Sequence, residues 1–130
     1  MAAANKIVVI DDDTELVAFT TDILRREGYE VASACNGQEG LEVVRREKPD
    51  VVLLDLAMPV MHGFQVCRAI RADDSLRGVR IVAISGKSYP VDLQTAKAEG
   101  ADHYLVKPLS APHLLDLIER LLVPGTIGGC

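Results

Sequence analysis

The chain has 130 residues, 48% of them apolar, which is enough for one well-packed core and too little for two ordinary domains. Its formal net charge of −5 lacks the clustered Lys and Arg of a nucleic-acid footprint, so direct nucleic-acid binding by this chain is not expected. Cys35, Cys67 and Cys130 are odd in number and widely spaced, which argues against a disulfide framework or a zinc site and suggests a reducing, cytoplasmic setting. No signal peptide or membrane span is expected, because the start, Met1 to Lys6, runs directly into an apolar strand followed by three acids.

Short apolar runs alternate with helical patterns, as in a parallel sheet built from βαβ units. The first strand is predicted over Ile7 to Ile10 and ends in Asp11-Asp12-Asp13. The helix after it places Leu16, Phe19, Ile23 and Leu24 on one face, with Thr14 as N-cap and Gly28 as stop. A weaker strand, Tyr29 to Ala34, leads to a helix around Leu41 and Val44, bracketed by Gly37 and Pro49. Val51 to Leu54, continuously apolar and so buried on both faces, ends in Asp55. Phe64, Cys67 and Ile70 after Gly63 mark a third helix, and Arg80 to Ile84 a fourth strand ending in Ser85-Gly86. The stretch from Pro90 to Gly100 is a poorer helix whose few, mostly small apolar residues give weak anchoring. His103 to Val106 is the fifth strand, ending in Lys107-Pro108. Leu114, Leu117, Ile118, Leu121 and Leu122 define the last helix, and residues 124–130 read as a tail or linker stub after one domain over 1–123.

The polar residues that stop the strands matter most, because an open parallel sheet binds ligands beyond its carboxyl ends, where strand order reverses. Acids gathered there repel, by roughly 4 kcal/mol per pair at about 4 Å and an effective dielectric near 20, so a cation is needed. A hard divalent ion such as Mg²⁺ fits carboxylate and carbonyl donors. Lys107 adds a second positive charge and Ser85 a hydroxyl, which together describe a pocket for a small dianion, with one carboxylate left as nucleophile. Asp13 reads as a helix cap or solvated carboxylate, His103 and His113 as surface histidines, Cys67 as a core residue and Cys35 as a strand-end thiol.

Five motifs in this order resemble the receiver domains of two-component response regulators: Ile-Asp11-Asp12, Leu54-Asp55-Leu-Ala-Met58-Pro59, Gly63, Ser85-Gly86 and Tyr104-Leu-Val-Lys107-Pro108. The likeness covers Ile7 to Leu122. It implies a flavodoxin-like (βα)5 α/β fold with a five-stranded sheet in the order 2-1-3-4-5. It also implies a phosphorylation switch rather than an enzyme on other substrates, acting in the cytoplasm. Asp55 would accept a phosphoryl group from a sensor histidine kinase or a histidine-phosphotransfer protein. Mg²⁺ would be held by Asp12, Asp55, the Ala57 backbone carbonyl and, through water, Asp11. Lys107 would pair with a phosphoryl oxygen, Ser85 would turn toward another, and Tyr104 would follow inward, altering the α4-β5-α5 face for a downstream protein or output domain. A monomer and a phosphorylation-dependent dimer are both compatible with this. His62, Gly86 and Leu109 depart from the commonest family pattern, and Ala57 and Lys87 resemble the positions at which the family tunes loss of the phosphoryl group, which leaves the lifetime of the switch open.

Three rivals fit less well. A haloacid-dehalogenase-type phosphatase would use Asp11 as nucleophile but has Glu15 where its pattern wants Thr or Val. A flavodoxin-type cofactor binder would place flavin phosphate against three repelling aspartates. A receiver-like module that no longer takes phosphate would have lost an acid or the lysine, and all are present.

Overall fold

The computed structural model describes residues 5–57, 63–86 and 93–122. Five parallel strands, β1 (Lys6–Ile10), β2 (Glu30–Ala34), β3 (Val51–Asp55), β4 (Arg80–Ser85) and β5 (His103–Val106), form one sheet in the order β2-β1-β3-β4-β5. The helices between and after them are α1 (Thr14–Arg26), α2 (Gly37–Glu47), α3 (Gly63–Ala72), α4 (Leu93–Ala98) and α5 (Ala111–Leu122), with a single 3₁₀ turn at Asp74–Leu76.

The period of two along each strand divides the core into two halves. Val8 and Ile10, Val52 and Leu54, and Ile81 and Ala83 face one side, where α2, α3 and α4 contribute Leu41, Val44, Val66, Cys67, Ile70 and Ala96. Ile7 and Val9, Val51 and Leu53, and Val82 and Ile84 face the other, covered by Leu24 of α1 and Leu114, Leu117, Ile118 and Leu121 of α5. Burial on both faces is why β3 is apolar without alternation until Asp55. Each fully buried Leu or Ile contributes about 1.5–3 kcal/mol, so the central strands fix the register of the strand ends that carry the site.

The order of strands, their approximate limits and the five helices match the sequence-based expectations, with two corrections in α1 and one at α2. Thr14 is the first helical residue of α1 rather than its cap. Asp13, extended at φ −84°, accepts from the Glu15 and Leu16 amides at 3.1 and 3.2 Å. Its position one residue earlier aims the carboxylate at the orphan amides of the first turn, which the Thr14 hydroxyl inside the helix does not. Phe19 does not join the core face. It is 49% exposed, while Thr20 and Leu24 are buried and Val17 packs against the α5 side. In α2, Gly37 lies inside the helix and Asn36 is the cap, accepting from the Glu39 amide at 2.8 Å, while Glu39 accepts from the Cys35 amide at 2.9 Å. His62, Lys87, Cys130, the motif residues Met58 and Pro59, and the expected tail lie outside the described residues.

Candidate functional site

β1 is flanked by β2 on one side and β3 on the other, so the strand order reverses between β1 and β3 and a crevice opens at their carboxyl ends. Asp11 is the first residue after β1, held by its amide donating to the Ala34 carbonyl at 3.1 Å. Asp55 is the last residue of β3, opposite Ile84 of β4, and the Leu56 amide continues the ladder to the Ile84 carbonyl at 3.0 Å. Lys107 follows β5, and its amide donates to the Ser85 carbonyl at 2.8 Å. Backbone bonds thus fix Asp11, Asp55, Ser85 and Lys107 where their strands stop.

Asp11 and Asp55 are each 3% exposed and Ser85 is fully buried, whereas Asp12 faces solvent. One carboxylate oxygen from each of Asp11, Asp12 and Asp55 lies within 4.8 Å of the others. The Lys107 ammonium stands 3.2 Å from Asp11 Oδ2 and 3.4 Å from Asp55 Oδ2. The other oxygens of these buried acids have local donors: the Asp13 amide gives to Asp11 Oδ1 at 3.0 Å and the Ala57 amide to Asp55 Oδ1 at 3.1 Å. Ser85 Oγ donates to the Gly86 carbonyl at 3.1 Å. Tyr104 is half-buried and packs on the α3-α4 side of the sheet.

The charges do not balance. Burial raises the Asp11 carboxyl, the Asp13 amide draws it down, Asp55 pushes it up again, and the result lies above the ordinary carboxylate range despite Lys107. Burial alone would lower the Lys107 ammonium, but the charges of Asp11 and Asp55 outweigh it and hold it above its ordinary value. One lysine shared between two buried acids leaves Asp11 incompletely compensated. Three hard oxygen donors with residual negative charge are what a small divalent cation requires, so the residues present fit such an ion.

The structure therefore brings together Asp11, Asp12, Asp55 and Lys107, with the Ala57 amide on Asp55 and Ser85 on the next strand. Tyr104 stands apart on β5, next to Ala83 across the sheet. Sequence reasoning did not find a second polar group at the opposite end of the sheet, in which Arg71 joins α3 to Val79, Gly100 and Asp102. Its members lie up to 31 residues apart and read individually as surface charges.

The model of the response regulator receiver domain matches residues 7–119. The DNA-binding response regulator MtrA of Mycobacterium tuberculosis is 42% identical over 117 residues, which are 90% of this chain and 50% of that protein. The chain thus spans about half the length of MtrA. Chemotaxis protein CheY4 of Vibrio cholerae superposes with a TM-score of 0.85 at 32% identity, covering 92% of this chain and all of that one. The receiver domain of sensor histidine kinase PA1611 of Pseudomonas aeruginosa, solved with magnesium in its active-site cleft, superposes with a TM-score of 0.82 at 27% identity, covering 92% and 98%. Together with the 2-1-3-4-5 sheet and the acids at its switch point, these likenesses establish that the chain belongs to the response regulator receiver domain family, the phosphorylation-switch modules of two-component signalling.

Proposed function

We propose that Asp55 is the phosphoacceptor and that a sensor histidine kinase or a histidine-phosphotransfer protein is the donor. The observation that carries this is the convergence of Asp11, Asp12 and Asp55 within 4.8 Å, with Lys107 on two of them. An Asp55 carboxylate oxygen attacks phosphorus in line, a P–O bond forms, and the P–N bond to the donor imidazole breaks, its electron pair returning to the ring nitrogen. Asp12, the Asp55 carboxylate, the Ala57 carbonyl and, through water, Asp11 would hold Mg²⁺. When bound, the ion supplies neutralising charge for the phosphoryl oxygens. PA1611, whose receiver carries magnesium in the corresponding cleft, supports this choice of metal.

Lys107 lies close enough to Asp55 to pass from its carboxylate to a phosphoryl oxygen, and Ser85, one strand over, turns from the Gly86 carbonyl to another. Tyr104 then moves inward and changes the α4-β5-α5 face offered to a downstream protein or an output segment. Beside the acceptor, a shallow depression of about 500 Å³, lined by Leu16, Phe19, Pro108 and Leu109 with Asp13 and Lys107 at the charged side, gives the donor protein a mixed apolar and polar foothold. The switch resets by hydrolysis of the acyl phosphate at the same site. None of the described helices is long and apolar enough to cross a membrane, and the proposed setting is the cytoplasm.

Asp55→Asn tests the assignment. Exposed to acetyl phosphate or to phosphorylated kinase with Mg²⁺, the variant takes up no label while keeping the wild-type circular dichroism spectrum. Label retained by the variant, or mapped to Asp11, would overturn it.

A further inference from the structure

The first residue of α3 rests on the acceptor loop. A Cβ at Gly63 would lie 2.7 Å from the Asp55 carbonyl oxygen and 2.6 Å from Leu56 Cα, and the Gly63 amide donates to the Leu56 carbonyl at 3.3 Å. Any displacement of the Asp55–Leu56 backbone presses directly on this helix, which at ten residues is a stiff rod about 15 Å long.

The other half of the rod grips the end of α4. Arg68 forms a two-pronged ion pair with Glu99, its Nη2 donating to Oε1 at 2.9 Å. Arg71 donates to the Gly100 carbonyl at 2.8 Å, the Val79 carbonyl at 2.7 Å and the Asp102 carboxylate at 2.7 Å. Asp102 also accepts from the Ile81 amide at 2.8 Å, tying the cluster to β4. Gly100, at φ +109°, closes α4 with paired bonds, Gly100 N–H to Lys97 and Ala101 N–H to Ala96, both at 3.0 Å. The Arg71 stem fills the space where a Cβ at Gly100 would sit, 2.6 Å away. By contrast, among the described side chains of α4, Ala96 is buried while Lys97 and Ala98 face solvent. At its C-terminal end, buried Ala96 and Ala101 are joined by the polar grip of α3.

We propose that α3 is a strut coupling Asp55 to α4, with Arg68 and Arg71 as positioning residues that hold the C-terminal end of α4 while Asp55 is a carboxylate paired with Lys107. Loading of Asp55 loosens that hold. The route runs through the backbone contact of Gly63 with Asp55–Leu56 and along α3, not through the side chains of Ser85 and Tyr104, and it rests on the phosphoacceptor reading above. Coupling is reciprocal, so weakening the grip on α4 must favour the loaded state of Asp55.

The Arg68–Glu99 pair is the place to test this, because it is largely solvent-exposed at Arg68 and its loss leaves the core intact. Beryllofluoride with Mg²⁺ serves as the phosphoryl mimic, its affinity read from amide NMR shifts, with urea unfolding and hydrogen exchange over residues 93–98 in parallel. Arg68→Gln and Glu99→Gln each tighten beryllofluoride binding about two- to fivefold, the range set by the strength of one exposed ion pair. The charge swap, Arg68→Glu with Glu99→Arg, returns the affinity to near that of the wild type. A merely structural pair alters exchange or stability and leaves the affinity alone; that result, or weaker binding, overturns the strut. Wild-type protein that fails to bind the mimic, or Asp55→Asn that still binds it, overturns the phosphoacceptor assignment and the strut with it.

Discussion

Asp12 is the acid whose removal is predicted to stabilise the metal-free protein. Its chosen oxygen lies within 4.8 Å of those of Asp11 and Asp55, a repulsion of about 3.5 kcal/mol or more per pair at an effective dielectric of 20. Lys107, at 3.2 and 3.4 Å, offsets roughly 5 kcal/mol each for Asp11 and Asp55. Asp12 has no cation at ion-pair distance among the described residues. It is exposed, so water and salt recover most of the raw repulsion, leaving about 1–2 kcal/mol. Asp12→Asn, nearly isosteric, therefore raises the melting temperature in EDTA by about 3–8 °C. With Mg²⁺ the order reverses: the wild type gains RT ln(1 + [Mg²⁺]/Kd), about 2.7 kcal/mol at a hundredfold excess over Kd, and the variant gains little. Scanning calorimetry of both proteins with and without the ion gives all four values. A variant less stable than wild type in EDTA, or one that gains as much from Mg²⁺, would refute the electrostatic account of the site.

Two further substitutions follow from packing and burial. Gly63→Ala places a methyl against the Asp55 carbonyl oxygen and the Leu56 backbone, so it costs about 1–3 kcal/mol in urea unfolding and slows labelling by acetyl phosphate; wild-type values for both would show that α3 yields freely. Burial pushes the Cys67 thiol from 9.0 up to about 11, so the folded state holds its proton where the unfolded chain loses it. The stability this contributes is fully present below pH 9 and is lost progressively as pH rises through about 11, a difference of about 3 kcal/mol that Cys67→Val removes; parallel alkaline unfolding curves for the two proteins would refute it.

The parts of the fold legible in the sequence are those where one residue type has one physical reason to be present. β3 and β4 are buried on both faces, so their apolar runs are unbroken, and the acids, serine and lysine that end the strands stand out against them. The acids converge because parallel strands in register bring their ends together, which follows once the sheet order is inferred. Phe19 was misplaced because a helix with apolar residues at 16, 17, 19, 23 and 24 has two overlapping candidate stripes. Position on the sheet, unseen in the sequence, selects the one through Val17, Thr20 and Leu24. Buried Thr20 weakens the true stripe further. Asp13 and Thr14 both read as caps in the sequence, because adjacent residues of either type can accept from first-turn amides and spacing alone does not choose between them; the structure selects Asp13.

The Arg71 cluster was illegible for a different reason. Asp102 and Arg71 meet only because α3 and the α4-β5 turn reach the same end of the sheet, and neither belongs to a periodic pattern. A functional site built at strand termini inherits the regularity of the strands, whereas a coupling contact between helix ends inherits none. That asymmetry bears on how receivers diversify. The site at the strand ends is confined to acids, lysine and hydroxyl by its charge chemistry, while the grip of α3 on the end of α4 includes one pair, Arg68 with Glu99, that is exposed at the arginine and exchanges at little cost to folding. On the coupling proposed above, substitutions at residues 68 and 99 would shift the switching equilibrium without touching the chemistry proposed for Asp55.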